Sequence, residues 1–341
     1  MLRLLLRIVR FRSMQLFREV VGYIAFAISF LPRGPQVLSI WINPAIPLGP
    51  KVAVFVHFDR NGRVRPYVMS YLRALHANGF AIGFVTNAGK LDPREAPAVQ
   101  ALCHAVIIRR NIGYDFAAMA EGLRVLALPQ ANTEMVLIAN DSVYGPLRPL
   151  DDAFARIDFS TADLWGATES WQRQYHIQSF FLIAGRRVLE SKAWREFWGS
   201  LRLVGSKYWV VTRYEVGLTQ KLLSAGLSCA ALWPYEALVE SVDASLLSES
   251  DADPDPVLNA RKITAGRIRY SVTDRLPLNP TAELWRQLLE AGCPFIKREL
   301  LRQNPARVVD IADWRKVTRG QGMDVTLIEQ DLQRILKNKV P

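Results

Sequence analysis

The sequence predicts an α/β fold: a mostly parallel central sheet flanked by helices, with mainly helical appendages at both ends. Three observations point there. Between residues 51 and 150, short apolar runs alternate with segments of helical spacing, the pattern of parallel strands joined by crossover helices. Those runs stop at polar residues: Asp59, Thr86-Asn87, Asn111 and Asn140-Asp141. Finally, the charge is uneven along the chain. Residues 1–50 carry 6 Lys/Arg against 1 Asp/Glu, residues 51–260 carry 21 against 22, and residues 261–341 carry 16 against 9. This divides the chain into a basic N-terminal segment with a proline-rich linker (1–50), a neutral α/β domain (51–260) and a basic, mainly helical extension (261–341).

At the N-terminus, Arg3, Arg7, Arg10, Arg12 and Arg18 interleave with leucine, isoleucine, valine and phenylalanine. The apolar run that follows, Val20–Leu31, has twelve residues, short of the roughly 20 that span a bilayer. A segment of this kind either lies in a membrane interface or packs on the domain with its arginines in water. Pro32, Pro35, Pro44, Pro47 and Pro50 then read as an extended linker.

Val52–Phe58 is expected as the first strand of the domain. Pro66–Asn78 has helical spacing, with Gly79 as its stop. Ala81–Val85 is the second strand, Val99–Ala105 a short helix or turn, and Val106–Ile108 the third strand. In Arg109-Arg110-Asn111-Ile112-Gly113-Tyr114-Asp115, Gly113 permits a tight turn and Asp115 suits the start of the helix Asp115–Leu128. A helix N-terminus beside Arg109 and Arg110 is suited to an anion. The alternative is a solvated arginine pair.

Met135–Ala139 is the fourth strand, and it stops at Asn140-Asp141-Ser142 before a Gly145-Pro146 turn. Polar residues there either shape the turn or meet a ligand at the strand edge, where open α/β sheets bind. There is no Gly-x-Gly-x-x-Gly after the first strand and no Gly-Lys-Ser/Thr loop, which argues against dinucleotide and P-loop sites.

Ala162–Ala167 and Phe180–Ala184 are further strands, with Asp163 at the start of the first and Thr168-Glu169 at its end. His176-Ile177-Gln178-Ser179 enters the second. These residues either line an acceptor pocket or, for His176, fill a structural role. Val188–Leu201 reads as one amphipathic helix and Tyr214–Ala225 as another. Glu215 in a first turn is explained by the helix dipole or, if it faces the sheet edge, as a general base. Beyond it, Ser248–Pro256 is an acidic loop, and Thr281–Ala291, Phe295–Gln303 and Val325–Leu336 are helical.

Several motifs in order resemble the rhamnan synthesis protein F family. They are Asn111-Ile112-Gly113-Tyr114-Asp115-Phe116, Asn140-Asp141-Ser142-Val143-Tyr144-Gly145-Pro146, Asp163-Leu164-Trp165-Gly166, His176-Ile177-Gln178-Ser179-Phe180-Phe181 and Tyr214-Glu215-Val216-Gly217-Leu218-Thr219. Asn279-Pro280-Thr281 and Cys293–Leu300 resemble the tail that follows them in that family. The resemblance covers roughly residues 52–240. It implies a GT-A-like glycosyltransferase domain at 51–260 that moves a sugar from a dTDP-L-rhamnose donor to a lipid-linked polysaccharide or O-antigen acceptor by inverting displacement. It also implies work at the cytoplasmic face of the inner membrane, as a peripheral protein. The other reading is a non-catalytic scaffold of a polysaccharide synthesis or export complex.

On that reading the nucleotide-sugar meets Asp59, Thr86, Asn87, Arg109, Arg110, Asn111, Gly113, Asp115, Asn140, Asp141 and Ser142. Glu215 is the first candidate for catalytic base and Asp163 the second. Glu169, His176 and Gln178 would face the acceptor. GT-A enzymes commonly carry Asp-x-Asp after the fourth strand, whereas Asn140-Asp141-Ser142 offers one carboxylate. Asp141 is thus the single candidate ligand for a divalent cation, Mn²⁺ or Mg²⁺. No other histidine or cysteine is spaced for a metal. Cys103, Cys229 and Cys293 are far apart and suggest a reducing compartment. A net charge of +11 raises nucleic-acid binding, but the neutral centre places the positive charge away from any working groove, so no nucleic-acid partner is expected.

Overall fold

The computed structural model describes residues 2–247 and 253–337. Twelve strands are present among them: β1 (Val37–Ile42), β2 (Lys51–His57), β3 (Ala81–Thr86), β4 (Ala105–Arg109), β5 (Met135–Asn140), β6 (Val143–Tyr144), β7 (Leu164–Gly166), β8 (Glu169–Ser170), β9 (His176–Ile177), β10 (Phe181–Gly185), β11 (Cys229–Ala231) and β12 (Ile296–Lys297). Eight form the central sheet, in the order β1-β4-β3-β2-β5-β10-β7-β11. The run β4-β3-β2-β5 is parallel throughout. Strand β10 is antiparallel to both β5 and β7, and β11 is parallel to β7. Only β1 and β10 therefore oppose the common direction. This is the expected α/β architecture, a mostly parallel sheet flanked by helices.

The strands alternate their side chains between two apolar layers, as a pleated strand must. Val52, Val54 and Val56 of β2 enter one layer, with Phe116, Met119 and Trp194. Ala53 and Phe55 enter the other, with Tyr71, Leu72 and Leu75 of the helix Pro66–Ala77. That second layer continues through Trp285, Phe295, Trp314 and Ile328. The C-terminal segment thus shares a core layer with the first crossover helix.

The helices differ in places from their sequence-based bounds, for local reasons. The proline-rich linker contains β1, which pairs antiparallel with β4 from Val37↔Arg109 to Ile42↔Ala105. Its β-branched and aromatic Val37, Ile40, Trp41 and Ile42 fit a strand. The stretch Val188–Leu201 is two helices, Arg186–Leu189 and Lys192–Gly199. Ser191 breaks it by capping the second, its Oγ accepting from Trp194 N at 3.1 Å. Thr281–Ala291 likewise divides into Pro280–Glu283 and Trp285–Glu290, and Phe295–Gln303 opens with β12 before the helix Arg298–Gln303. Of the expected acidic loop, residues 248–252 lie outside the described residues.

The N-terminal helix Leu2–Ile28 packs on the domain through one side. Phe26 stacks on Trp209 at 4.7 Å between ring centroids, and Tyr208 Oη donates to Glu19 at 2.9 Å. Its Phe17, Val20, Val21 and Ile24 stay exposed. The side chains of Arg3, Arg7, Arg10 and Arg12 lie outside the described residues. Among the described residues, no helix is long and apolar enough to cross a membrane.

Candidate active site

The pairings Val56↔Asn140, His57↔Thr86 and Thr86↔Ile108 bring the C-terminal ends of β2, β3, β4 and β5 to one sheet edge. A cleft of about 340 Å³ opens beside that edge. Asp115, Asn140, Ser142, Gln178 and Glu215 line it, together with Lys207, Lys297, Arg298 and Arg302.

Asn140 ties the edge together. Its Nδ2 donates to Asp115 Oδ2 at 3.3 Å, and its Oδ1 accepts from Ser142 N at 3.0 Å. Asp115 begins a helix whose preceding turn depends on Gly113 at φ +82°. A Cβ at Gly113 would lie 2.6 Å from that of Ala117, so a side chain there is strained twice over. Burial, and then the Asp141 carboxylate, push the Asp115 carboxyl up to about 6.

Glu215 lies at the junction of a π-helical turn, Val210–Glu215, with the helix Val216–Ser224. Helical turns begin earlier, at Lys207, capped by Ser206. Glu215 is therefore not in a first turn, and the helix dipole does not account for it. Its Oε1 accepts from Ser179 N at 2.9 Å and Ser179 Oγ at 2.7 Å. Turns of π geometry often mark functional positions, and this one aims a carboxylate into the cleft.

Arg109 is wholly buried; it donates to Asn87 Oδ1 and, at 2.8 Å, to the Ile112 carbonyl. It pins neighbouring strand-end loops to each other. Arg110 and Asn111 are exposed outside the cleft lining. Thr86 Oγ1 lies 3.0 Å from His57 Nδ1, and Asp59 accepts from Asn61 N at 2.8 Å and from Arg65 Nη2 at 3.1 Å. Asp163 precedes β7, which runs parallel to β5, so it sits at the opposite sheet edge. Its carboxylate accepts from Ser228 N at 2.8 Å and from Arg187 at 3.1 Å. Glu169 accepts from Tyr235 N at 2.9 Å and Tyr175 Oη at 2.8 Å, and buried His176 has Nδ1 2.9 Å from the Gln174 carbonyl. Gln178 reaches the cleft, with Oε1 accepting from Thr168 Oγ1 at 2.7 Å.

Sequence reading missed the cationic side of the cleft. Strand β12 pairs antiparallel with β6, matching Ile296 to Tyr144 and Lys297 to Val143. Gly145 allows the contact: a Cβ there would lie 2.4 Å from the Pro294 carbonyl oxygen. Lys297 Nζ then lies 3.0 Å from Ser142 Oγ, and Arg298 Nη1 donates to Asp141 Oδ2 at 3.0 Å. The signals in the sequence are the Lys297-Arg298 pair directly after the apolar Phe295-Ile296 and the tail motif Cys293–Leu300 that contains it.

A divalent cation at Asp141 does not fit this arrangement. The carboxylate faces a guanidinium, and among the described residues no group of three or more His, Cys, Asp or Glu is placed to hold a metal.

The profile of the family described as rhamnan synthesis protein F matches residues 82–263, more than half of the 341-residue chain. This chain belongs to the rhamnan synthesis protein F family. All of β3 but its first residue, strands β4 and β5 and the Glu215 turn fall inside that match, while Lys297 and Arg298 lie beyond it. Virulence protein VirA of Vibrio anguillarum (strain ATCC 68554 / 775) is 28% identical over 224 residues, covering 64% of this chain and 69% of VirA. The y4gN protein of Sinorhizobium fredii is 24% identical over 199 residues, covering 57% and 51% of the two chains. Among solved structures, a mannosyltransferase from Pyrobaculum calidifontis in complex with GDP-Man and Mn²⁺ overlaps 89% of this chain and 96% of its own at 11% identity, with a TM-score of 0.33.

Proposed function

We propose that this member of the rhamnan synthesis protein F family is an inverting glycosyltransferase that uses a nucleotide-sugar donor. The observation that carries the reading is Glu215: a carboxylate fixed by both donors of Ser179, facing a cleft at the strand edge where α/β sheets take ligands. The donor's nucleoside lies toward Asp59, Thr86, Asn87 and Asn111, and its sugar toward Asn140, Ser142 and Asp115. The acceptor oxygen forms a bond to the anomeric carbon from the side opposite the diphosphate and gives its proton to Glu215. The bond from that carbon to the diphosphate oxygen breaks, and its electron pair leaves with the nucleoside diphosphate. Gln178 meets the acceptor.

The donor is dTDP-L-rhamnose and the acceptor a lipid-linked glycan of polysaccharide or O-antigen assembly, the finer reading that family membership supports. Work at a membrane surface is favoured by exposed Phe17, Val20, Ile24, Phe30 and Leu31, and by the exposed Leu38, Ile40 and Ile42 of edge strand β1. The test offers purified protein dTDP-L-rhamnose and other nucleotide sugars and follows nucleoside diphosphate release, with and without anionic vesicles. Release from dTDP-L-rhamnose that vesicles carrying a lipid-linked acceptor accelerate is the expected result. Release from another donor alone would discard the sugar. Binding of no nucleotide sugar at all would leave a non-catalytic scaffold.

A further inference from the structure

Building on the reading of this cleft as a nucleotide-sugar site, we propose that Lys297 and Arg298 bind the donor diphosphate and stabilise the departing nucleoside diphosphate, in the place where a divalent cation would otherwise act. Three observations support this. First, the one carboxylate after β5 that could hold a cation is engaged. Arg298 donates to both the Asp141 carboxylate and the Asp141 backbone carbonyl.

Second, Lys297 is a half-buried cation with unused donors. Its Nζ contacts Ser142 Oγ at 3.0 Å and lies 5.3 Å from the Phe180 ring centroid, and it has no carboxylate partner within ion-pair distance among the described residues. An ammonium has three donors, so two remain for a ligand in the cleft that Lys297 lines. Burial draws its pKa down, while the Glu215 and Asp115 carboxylates draw it up. An anion completing this site would relieve the cost of holding the charge out of water.

Third, Arg298 is rigidly aimed. Its guanidinium lies 4.8 Å from the Tyr67 ring centroid and 5.6 Å from that of Tyr144, and its buried Nε has no partner among the described residues. Tyr144 is itself fixed, donating to Asp331 at 2.7 Å. Fixed donors aimed at a developing charge are the kind that lower a barrier. The charge balance closes: the breaking bond leaves one more negative charge on the diphosphate oxygen, and the Lys297 ammonium offsets it. Arg298, already neutralised by Asp141, supplies direction rather than net charge.

The test is calorimetric titration of dTDP, UDP and GDP into wild type, Lys297→Met and Lys297→Arg, first in EDTA and then in Mn²⁺. Wild type is expected to bind at least one of them in EDTA, with less than about a twofold change on adding Mn²⁺. Lys297→Met is expected to weaken that binding about tenfold or more, the scale of a charge-assisted phosphate contact. Lys297→Arg should recover most of the loss, and all three proteins should keep the same circular dichroism and melting transition. Binding that needs Mn²⁺ and ignores Lys297→Met would overturn the inference and leave the glycosyltransferase reading standing. No nucleotide binding by wild type in either condition would overturn that reading, and the inference with it.

Discussion

Two segments bring arginine close to the same cleft and use it in opposite ways. In Arg109–Asp115, the guanidinium of Arg109 turns inward, to Asn87 and the Ile112 carbonyl, and never reaches the cleft. In Pro294–Gln303, Arg298 stands against Asp141 and lines the cleft, with Lys297 beside it. The difference lies in the partners each segment finds. Arg109 ends strand β4, and its two terminal nitrogens are taken inside the core by the Asn87 amide oxygen and the Ile112 carbonyl. Lys297 ends, and Arg298 follows, a two-residue strand laid over the turn after β5, where Arg298 meets the Asp141 carboxylate and both side chains line the cleft. Residue type therefore says less about anion binding than whether a side chain's donors are already used.

The largest expected effect separates the two arginines. Arg298→Leu removes the partner of Asp141 and should cost about 2 kcal/mol or more of stability, because a half-buried carboxylate is left unpaired. Nucleotide affinity should fall as well. Adding Asp141→Asn should restore most of the stability in a denaturant melt and none of the affinity. Recovery of both would show that Arg298 only neutralises Asp141.

Arg109→Met should behave the other way. It leaves Asn87 Oδ1 and the Ile112 carbonyl without their donor, for a loss of about 1–3 kcal/mol. Nucleotide affinity in the folded variant should fall much less than in Arg298→Leu, since Arg109 reaches the nucleoside only through Asn87. A loss of affinity with unchanged stability would erase the contrast between the two segments.

The smallest effect is a pH dependence at Asp115, which joins them. Its carboxyl titrates near 6 in the fold and near 4 in an unfolded chain. A raised acid pKa means that the folded state binds the proton more tightly, so the contribution of Asp115 to stability is fully present below about pH 4 and is lost as pH rises through about 6. Asp115→Asn should flatten that decline in melts run across the same range. An unchanged slope would remove Asp115 as its source.

Much of this molecule could be read from local pattern. The apolar runs of β2, β3, β4 and β5 and the polar residues at their ends are short-range signals, and parallel pairing places those ends together. What stayed hidden is non-local. Lys297 and Arg298 meet Ser142 and Asp141 across 155 and 157 residues, and no periodicity announces a two-residue strand. Asp163 also shows the limit: it adjoins a strand as Asn140 does, but at the start of β7, and the strand direction that sends it to the far edge follows from pairing with β10. Glu215 was visible as a residue but not as a geometry, because the π turn before it depends on where the helix begins.

The most direct measurement is donor turnover by Glu215→Gln, alongside its nucleotide affinity. With the carboxylate as the base that accepts the proton, turnover should fall about a hundredfold or more, while nucleoside diphosphate affinity stays within about twofold. Turnover close to wild type would contradict the account, because the group that carries it would then take no part in the reaction.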